Sequence, residues 1–269
     1  MKHNPGIGAT PDLSLRVSVA TLVRVIFNHP LNGEWILALE RKATLHETKV
    51  EVKSQPFGGA IRIKDLSKMR DLIGDFHFDS ERSRSEQDFR IFIRPSSWSM
   101  LREFCIEHLS SVDDPILETD PGRELVEEFD DALKINLNPE QYIHKPVTTV
   151  IEDEAAPTDN IHAKGIPTAR VYRIFEATIS DSSLIHNMMN NSESLSHEDL
   201  CKLALDDFQN GGKGRANAIL ALPLKLISDV YLSMSPEERN GPISFQNHQL
   251  DETVAAILES VTIPKYHRL

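Results

Sequence analysis

Two β-prone runs joined by a turn restrict the fold of this chain most strongly. Residues 15–27 (LRVSVATLVRVIF) and 34–42 (EWILALERK) are rich in Val, Ile and Leu, and residues 28–33 (NHPLNG) between them combine Pro, Asn and Gly. This pattern predicts a β-hairpin. Residues 55–63 (QPFGGAIRI) follow, and their Gly58–Gly59 pair lets the backbone turn sharply or approach another group closely.

Segments with helical spacing of apolar residues alternate with strand-like segments in the rest of the chain. The helical segments are residues 65–76, 96–109, 196–208 and 250–261, and the strand-like ones are 89–95 and 170–179. Residues 79–88 (DSERSRSEQD) are almost free of apolar side chains and predict a mobile loop. Residues 152–169 predict an irregular loop, and Pro223 must start or break an element within 211–232. We therefore expect an α/β fold, a mixed sheet flanked by helices, with a helical C-terminal third at about 181–269.

The charge and cysteine content narrow the class of protein. The formal net charge is −12, which disfavours a nucleic-acid partner. Two cysteines, Cys105 and Cys201, are too few for a disulfide framework, and Cys105 fits the apolar stripe of a helix. The sequence has no apolar run of bilayer-spanning length, and its first 17 residues lack the apolar core of a secretory signal. The expectation is a cytoplasmic protein with no membrane partner.

The most charged helical segment is residues 120–133, DPGRELVEEFDDAL. Asp120 suits an N-cap and Pro121 the first helical position. On a helix, Glu124, Glu127, Glu128 and Asp131 share one face, while Leu125, Phe129 and Ala132 share another. Clustered carboxylates are unfavourable unless they face water or bind a cation, for which Mg²⁺ is the natural candidate. For this segment alone, a solvated acidic face is the favoured interpretation and a cation site is the alternative.

The run from Arg123 to Glu128 resembles the second half of the Nudix box, the motif of the Nudix hydrolase family. That box reads Gly, five residues, Glu, seven residues, Arg-Glu-apolar-x-Glu-Glu-x-Gly-apolar. Residues 56–59 (PFGG) resemble the family's Pro-Gly-Gly lead-in, and residues 34–42 resemble the strand before it. The resemblance implies that Glu124, Glu127 and Glu128 are metal carboxylates, that the Gly58 carbonyl is a further metal ligand, and that Arg123 holds a glutamate by an ion pair.

The chain departs from the family pattern in three ways. An insertion of about residues 65–118 splits the box, so that one Nudix-like domain over 1–269 would carry it. The first Glu of the box is missing, and Asp65 is the candidate to substitute for it with a shorter reach. The terminal Gly of the box is replaced by Asp130 or Asp131, depending on the alignment.

The resemblance implies a hydrolase that uses Mg²⁺ or Mn²⁺ to cleave a nucleoside diphosphate linked to another moiety. The candidate general bases are Glu152, Asp153, Glu154 and Glu176. The alternative is a catalytically inactive Nudix-like module that binds a nucleotide or a partner protein, and a third interpretation is an unrelated α/β protein with a solvated acidic helix. The sequence leaves open the identity of the substrate and whether the chain forms a homo-oligomer.

Two further motifs have weaker interpretations. The backbone amides of residues 211–216 (GGKGRA) could hold a phosphate, but a loop after a helix is favoured. His197 and Cys201 lie four residues apart and could touch one metal ion, yet two ligands do not make a site. A helix from residue 196, with Ser196 and Asp199 as a capping box, is the favoured interpretation there.

Overall fold

The computed structural model describes residues 14–269 except residues 112, 153, 159 and 161. The strands are β1 (Leu15–Asn28), β2 (Trp35–His46), β3 (Lys49–Gln55), β4 (Phe57–Ala60), β5 (His77–Phe78), β6 (Arg90–Ile93), β7 (Tyr142–Glu152), β8 (Ala156–Pro157), β9 (Pro167–Ile179), β10 (Arg215–Pro223), β11 (Ile243–Phe245), β12 (His248–Leu250) and β13 (Tyr266–Arg268). The α-helices are α1 (Leu66–Ile73), α2 (Glu81–Glu86), α3 (Trp98–Leu109), α4 (Gly122–Leu133), α5 (Ser182–Ser194), α6 (His197–Gln209), α7 (Leu224–Ser233) and α8 (Thr253–Ile257).

One mixed sheet organises the fold, and β1 is its central strand. One edge of β1 pairs in parallel with β9. Its other edge pairs in succession with β6, β4 and β2, all antiparallel. Strand β2 then continues beyond β1 and pairs antiparallel with β3 and β10. The predicted α/β class and mixed sheet are thus confirmed, as is the hairpin of the first two strands.

Helices cover both faces of the sheet, because successive side chains of β1 point to opposite sides. Val23 and Val25 pack in a cluster with α4 and α5. Leu22 and Ile26, on the opposite face, pack in a cluster with α7 and α8. A third cluster joins the first half of β1 to α1 and α3. None of the described helices has both the length and the apolar character needed to cross a bilayer.

The segment expected to be a mobile loop, residues 79–88, is instead anchored. It contains α2, whose N-cap Ser80 accepts a hydrogen bond from the Ser83 amide. The Asp79 carboxylate is buried, accepts hydrogen bonds from Arg16 Nε and Nη2 at 3.0 and 2.7 Å, and accepts another from the Ser83 hydroxyl. A buried ion pair and a helix cap anchor this segment although it has few apolar side chains. The prediction of a mobile loop was therefore wrong.

The C-terminal part contains more strand than its helical description implies. Strand β10 pairs with β2 over nine residues, and Pro223 ends it where α7 begins. Strands β11, β12 and β13 also lie between or beyond the helices. The helix predicted at 250–261 is limited to α8, whose residues Val254–Ile257 are all buried and therefore have no polar face. Strand β7, whose Pro146 lies at a β-bulge, and the short β3 were also not predicted.

Candidate functional site

Helix α4 is fixed beside β4 by its apolar face. Leu125 and Phe129 are fully buried, and the Phe129 ring stacks on the Phe57 ring with centroids 5.0 Å apart. The Asp120 carboxylate accepts a hydrogen bond from the Gly122 amide at 2.7 Å and marks the helix start, with Pro121 one position before the first helical residue. This packing brings the acidic part of α4 next to the Gly58–Gly59 pair of β4.

Glu124 lies directly against Gly59. A Cβ atom built on Gly59 would be 2.0 Å from Glu124 Oε2, so only glycine leaves room for the carboxylate. Glu124 is buried, and burial raises the pKa of its carboxyl against the opposing charge of Arg123. Gly58 is needed for a different reason: its φ is +138°, and a Cβ there would be 2.1 Å from the Thr21 carbonyl oxygen.

Arg123 contacts three carboxylates, those of Glu118, Glu124 and Glu127. Its Nε donates to Glu118 at 2.7 Å, its Nη1 lies 2.5 Å from Glu124 and 3.3 Å from Glu127, and its Nη2 donates to the Ala60 carbonyl at 3.2 Å. Burial alone would lower the pKa of Arg123, but these carboxylates outweigh it and raise the pKa. Arg123 therefore connects α4 to β4 and to Glu118, in the segment before α4.

Asp65, the candidate from the sequence for the first glutamate of the box, lies at the start of α1. Its side chain caps α1 by accepting a hydrogen bond from the Lys68 amide at 3.0 Å. The carboxylate that approaches Arg123 from the segment before α4 is Glu118. Separation along the chain from Gly59 therefore does not determine which carboxylate reaches Arg123.

Glu128 faces inward, one turn after Glu124, and meets two residues of β2. It lies beside the Glu40 carboxyl group, and its Oε2 lies 3.8 Å from Lys42 Nζ. Glu40 is fully buried, and its Oε2 lies 2.9 Å from Lys42 Nζ and 3.0 Å from Gln55 Nε2. Burial, together with the adjacent Glu40, raises the pKa of Glu128 to about 9. Glu40 Oε1 and Glu128 Oε2 are both buried without a hydrogen-bond partner.

The four carboxylates predicted to share one face of the helix thus lie in different environments. The side chains of Glu124 and Glu128 are only 10 and 16 % exposed, whereas that of Glu127 is 56 % exposed and pairs with Arg123 and, at 4.0 Å, with Arg62. Asp131 is exposed. The solvated-face interpretation is wrong for Glu124 and Glu128, and it holds for Asp131.

The predicted general bases lie on the strands and loop after α4. Glu152 is buried beside Arg170, with Nη1 3.3 Å from Oε1, and burial raises its pKa to about 7. Glu176 pairs with Arg24 and with Lys145 at 2.9 Å, and these cations outweigh its burial and lower its pKa. Glu154 is exposed, and Asp153 lies outside the described residues. A carboxylate held by two cations is a weak base, so Glu176 is the poorest of these candidates.

The glycine-rich loop after α6 is closed on itself. The amides of Gly214 and Arg215 donate to Asp207 Oδ2 at 2.8 and 3.1 Å, so the groups that could hold a phosphate already bind a carboxylate. Ser196 and Asp199 form the predicted capping box at the start of α6. Both findings agree with the loop and the capped helix favoured from the sequence.

The donor set suits a hard cation, but it is not arranged around one. Carboxylate and carbonyl oxygens are the ligands that Mg²⁺ and Mn²⁺ prefer. Across the part of the chain that the structure describes, no three His, Cys, Asp or Glu side chains are grouped so that they could hold a metal ion. Glu124 faces Arg123 and Glu128 faces Glu40 and Lys42, so cation binding requires these contacts to be exchanged.

Comparison with models of known protein families finds no matching model, and comparison with curated proteins finds no matching sequence. The resemblance to the Nudix family therefore rests on the residues of the sequence alone. The structure brings Arg123, Glu124 and Glu127 together, with Glu128 one turn further along α4 and Gly58 adjacent to the glycine that faces Glu124.

Three site residues were not singled out from the sequence: Glu40, Lys42 and Glu118. Glu40 and Lys42 lie two positions apart on β2, so both point to the same face of the strand. The sequence did carry a signal, since the apolar run of β2 is followed by Glu-Arg-Lys, which places charge where a buried strand would continue. Glu118 had no comparable signal, because its position depends on the path of the insertion.

Proposed function

We propose that this protein is a Nudix-type hydrolase, dependent on Mg²⁺ or Mn²⁺, that cleaves a nucleoside diphosphate linked to another moiety. The observation that carries the proposal is the burial of Glu124 and Glu128 on α4 beside the Gly58–Gly59 pair, with Arg123 holding Glu124. A mixed sheet that presents this helix next to a Gly-Gly strand supports the Nudix-like fold.

The energetic cost of this arrangement argues for a role beyond packing. Burying a charge costs several kcal/mol unless the pairing is excellent, and apolar side chains of similar size would stabilise the fold at least as well. Here two glutamates of one helix are buried within one turn of each other, and the pKa of each is raised. Strongly perturbed carboxyl groups beside a close glycine contact are typical of a functional site.

The residues have separate roles in this proposal. Glu124, Glu127 and Glu128, with the carbonyl of Gly58, would hold the cation. When bound, the cation supplies charge neutralisation of the diphosphate and polarisation of the attacked bond. Arg123 orients Glu124 and Glu127 and fastens them to Ala60 and Glu118. Gly59 provides the space that the Glu124 carboxylate occupies.

A panel of nucleoside diphosphate derivatives with Mg²⁺ tests the activity. We expect at least one derivative to be cleaved, and Glu128→Gln to abolish that cleavage while the protein remains folded. Asp131→Asn is the matched control, because it neutralises an exposed carboxylate three residues later on the same helix. Equal turnover by the wild type and Glu128→Gln would remove the basis of the proposal.

The inactive binding module is the second candidate, and one observation favours it. Lys42 and Arg123 already neutralise the buried carboxylates, and the described residues contain no ready metal-binding group. On that alternative, one nucleotide of the panel raises the melting temperature without being cleaved. Cleavage of a nucleotide that depends on Mg²⁺ and on Glu128 would exclude the inactive module and support the hydrolase.

A further inference from the structure

The Lys42 ammonium lies close to two acidic side chains, those of Glu40 and Glu128. Its Nζ is 2.9 Å from Glu40 Oε2 and 3.8 Å from Glu128 Oε2. The three residues come from two elements, since β2 supplies Glu40 and Lys42 and α4 supplies Glu128. Lys42 and Glu40 lie two positions apart on β2, so both project from the same face of the strand toward α4.

The oxygens around the Lys42 ammonium could also bind a metal cation. The Glu40 side chain is fully buried, and its Oε1 has no hydrogen-bond partner, as is also true of Glu128 Oε2. Gln55 donates to the other oxygen of Glu40 and orients the carboxylate. Two buried carboxylates with unsatisfied oxygens can hold Mg²⁺ or Mn²⁺, which often take one or two carboxylates and complete their shell with water.

We propose that Lys42 is a built-in counter-ion that occupies the cation position between Glu40 and Glu128, and that this position accepts a divalent cation once the ammonium is removed. In the native protein, Lys42 then restricts divalent cations to the Glu124 side of the cluster. Glu40 and Lys42 thus determine how many cations bind to Glu40 and the acidic residues of α4. The inference deepens the proposed function, because Glu128 belongs to both positions, but it does not require that the protein hydrolyse anything.

Mn²⁺ titration of Lys42→Met, followed by calorimetry and by electron paramagnetic resonance of free Mn²⁺, tests the proposal. We expect the variant to bind one more Mn²⁺ per chain than the wild type, and Mn²⁺ to raise its melting temperature more than that of the wild type. Lys42→Met/Glu40→Gln should lose the gain, because it removes a carboxylate of the position together with the ammonium.

Lys53→Met is the matched control. Lys53 lies opposite Lys42 on β3 and pairs with Glu51, whose side chain is 47 % exposed, at 3.1 Å, so its removal frees a solvated carboxylate instead of a buried one. It should bind Mn²⁺ as the wild type does. Lys42→Gln replaces Lys42→Met if the latter is recovered unfolded, and the same gain is expected from it.

Equal Mn²⁺ binding by the wild type and both Lys42 variants would overturn the proposal. A gain that survives in Lys42→Met/Glu40→Gln would also overturn it, since the added cation would then lie elsewhere. Failure of the proposed hydrolase would be recognised separately: the wild type would neither cleave a nucleotide nor bind Mn²⁺, while the difference between wild type and variant would still be measurable.

Discussion

Gly59→Ala offers a direct test of how closely Glu124 approaches β4. The new Cβ would lie 2.0 Å from Glu124 Oε2, 2.6 Å from Cδ and 3.0 Å from Oε1, whereas ordinary van der Waals contact begins at 3.4 Å. Gly59 does not have the positive φ of Gly58, so alanine meets no backbone strain there. The whole effect should therefore come from displacing one carboxylate.

The expected cost can be estimated from this geometry. Overpacking of a buried site costs about 1–3 kcal/mol, and the low end applies because the atoms in conflict belong to the end of a side chain. Urea unfolding should thus show a modest loss of stability. Mn²⁺ binding should fall by at least about tenfold, a factor that corresponds to about 1.4 kcal/mol of binding free energy.

A double-mutant cycle with Glu124→Ala isolates the contact. In the Glu124→Ala background the conflicting atoms are absent, so Gly59→Ala should cost almost nothing in stability. The coupling energy should then be about 1 kcal/mol, within the range measured for residues in contact. Gly241→Ala is the control, because a Cβ at Gly241 would meet nothing within 4 Å and the φ there is −132°. Additive costs, equal within about 0.5 kcal/mol in the two backgrounds, would refute the proposed approach of Glu124 to Gly59.

Three further predictions concern other parts of the fold. Asp79→Asn should break the buried ion pair with Arg16, cost about 3–5 kcal/mol and speed tryptic cleavage at Arg82 or Arg84, whereas unchanged digestion would show that α2 is held in another way. Because the pKa of Glu152 is raised to about 7, the folded state holds a proton that the unfolded state has released, so the free energy of unfolding should fall as pH rises through that value. In urea unfolding, Glu152→Gln should lose less stability than the wild type between pH 5 and pH 8. Parallel pH profiles of the two proteins would contradict this. Asp207→Asn should weaken two charge-assisted hydrogen bonds, lower stability by about 1–3 kcal/mol and increase amide exchange at Gly214 and Arg215, and unchanged exchange would mean that the carboxylate does not close the loop.

The sequence was most informative where a local pattern determines the outcome. Helix α4 could be predicted from Leu125, Phe129 and Ala132, because these residues form its buried face whatever covers it. The capping box of Ser196 and Asp199 likewise involves residues three positions apart. For the same reason, the contacts of Arg123 with Glu124 and Glu127 lie within one helical turn.

The remaining features depend on contacts between distant segments. Glu128 is buried because β2 brings Glu40 and Lys42 beneath α4, and no spacing within residues 120–133 indicates that pairing. Helix α2 resembles a polar loop in sequence because the group that fixes it, Arg16, lies at the start of β1. Glu118 reaches Arg123 only because the chain returns from α3 to the sheet, where the Glu118 amide bonds the Arg62 carbonyl.

The proposed role of the acidic helix as a cation site is tested most directly by a crystal soaked in Mn²⁺. We expect an anomalous difference peak beside the carboxylates of Glu124 and Glu128, at the roughly 2.0–2.2 Å typical of carboxylate ligands to a small divalent cation. The peak should be lost in Glu128→Gln. A saturating soak that leaves this position empty, or a peak that persists in Glu128→Gln, would contradict this role.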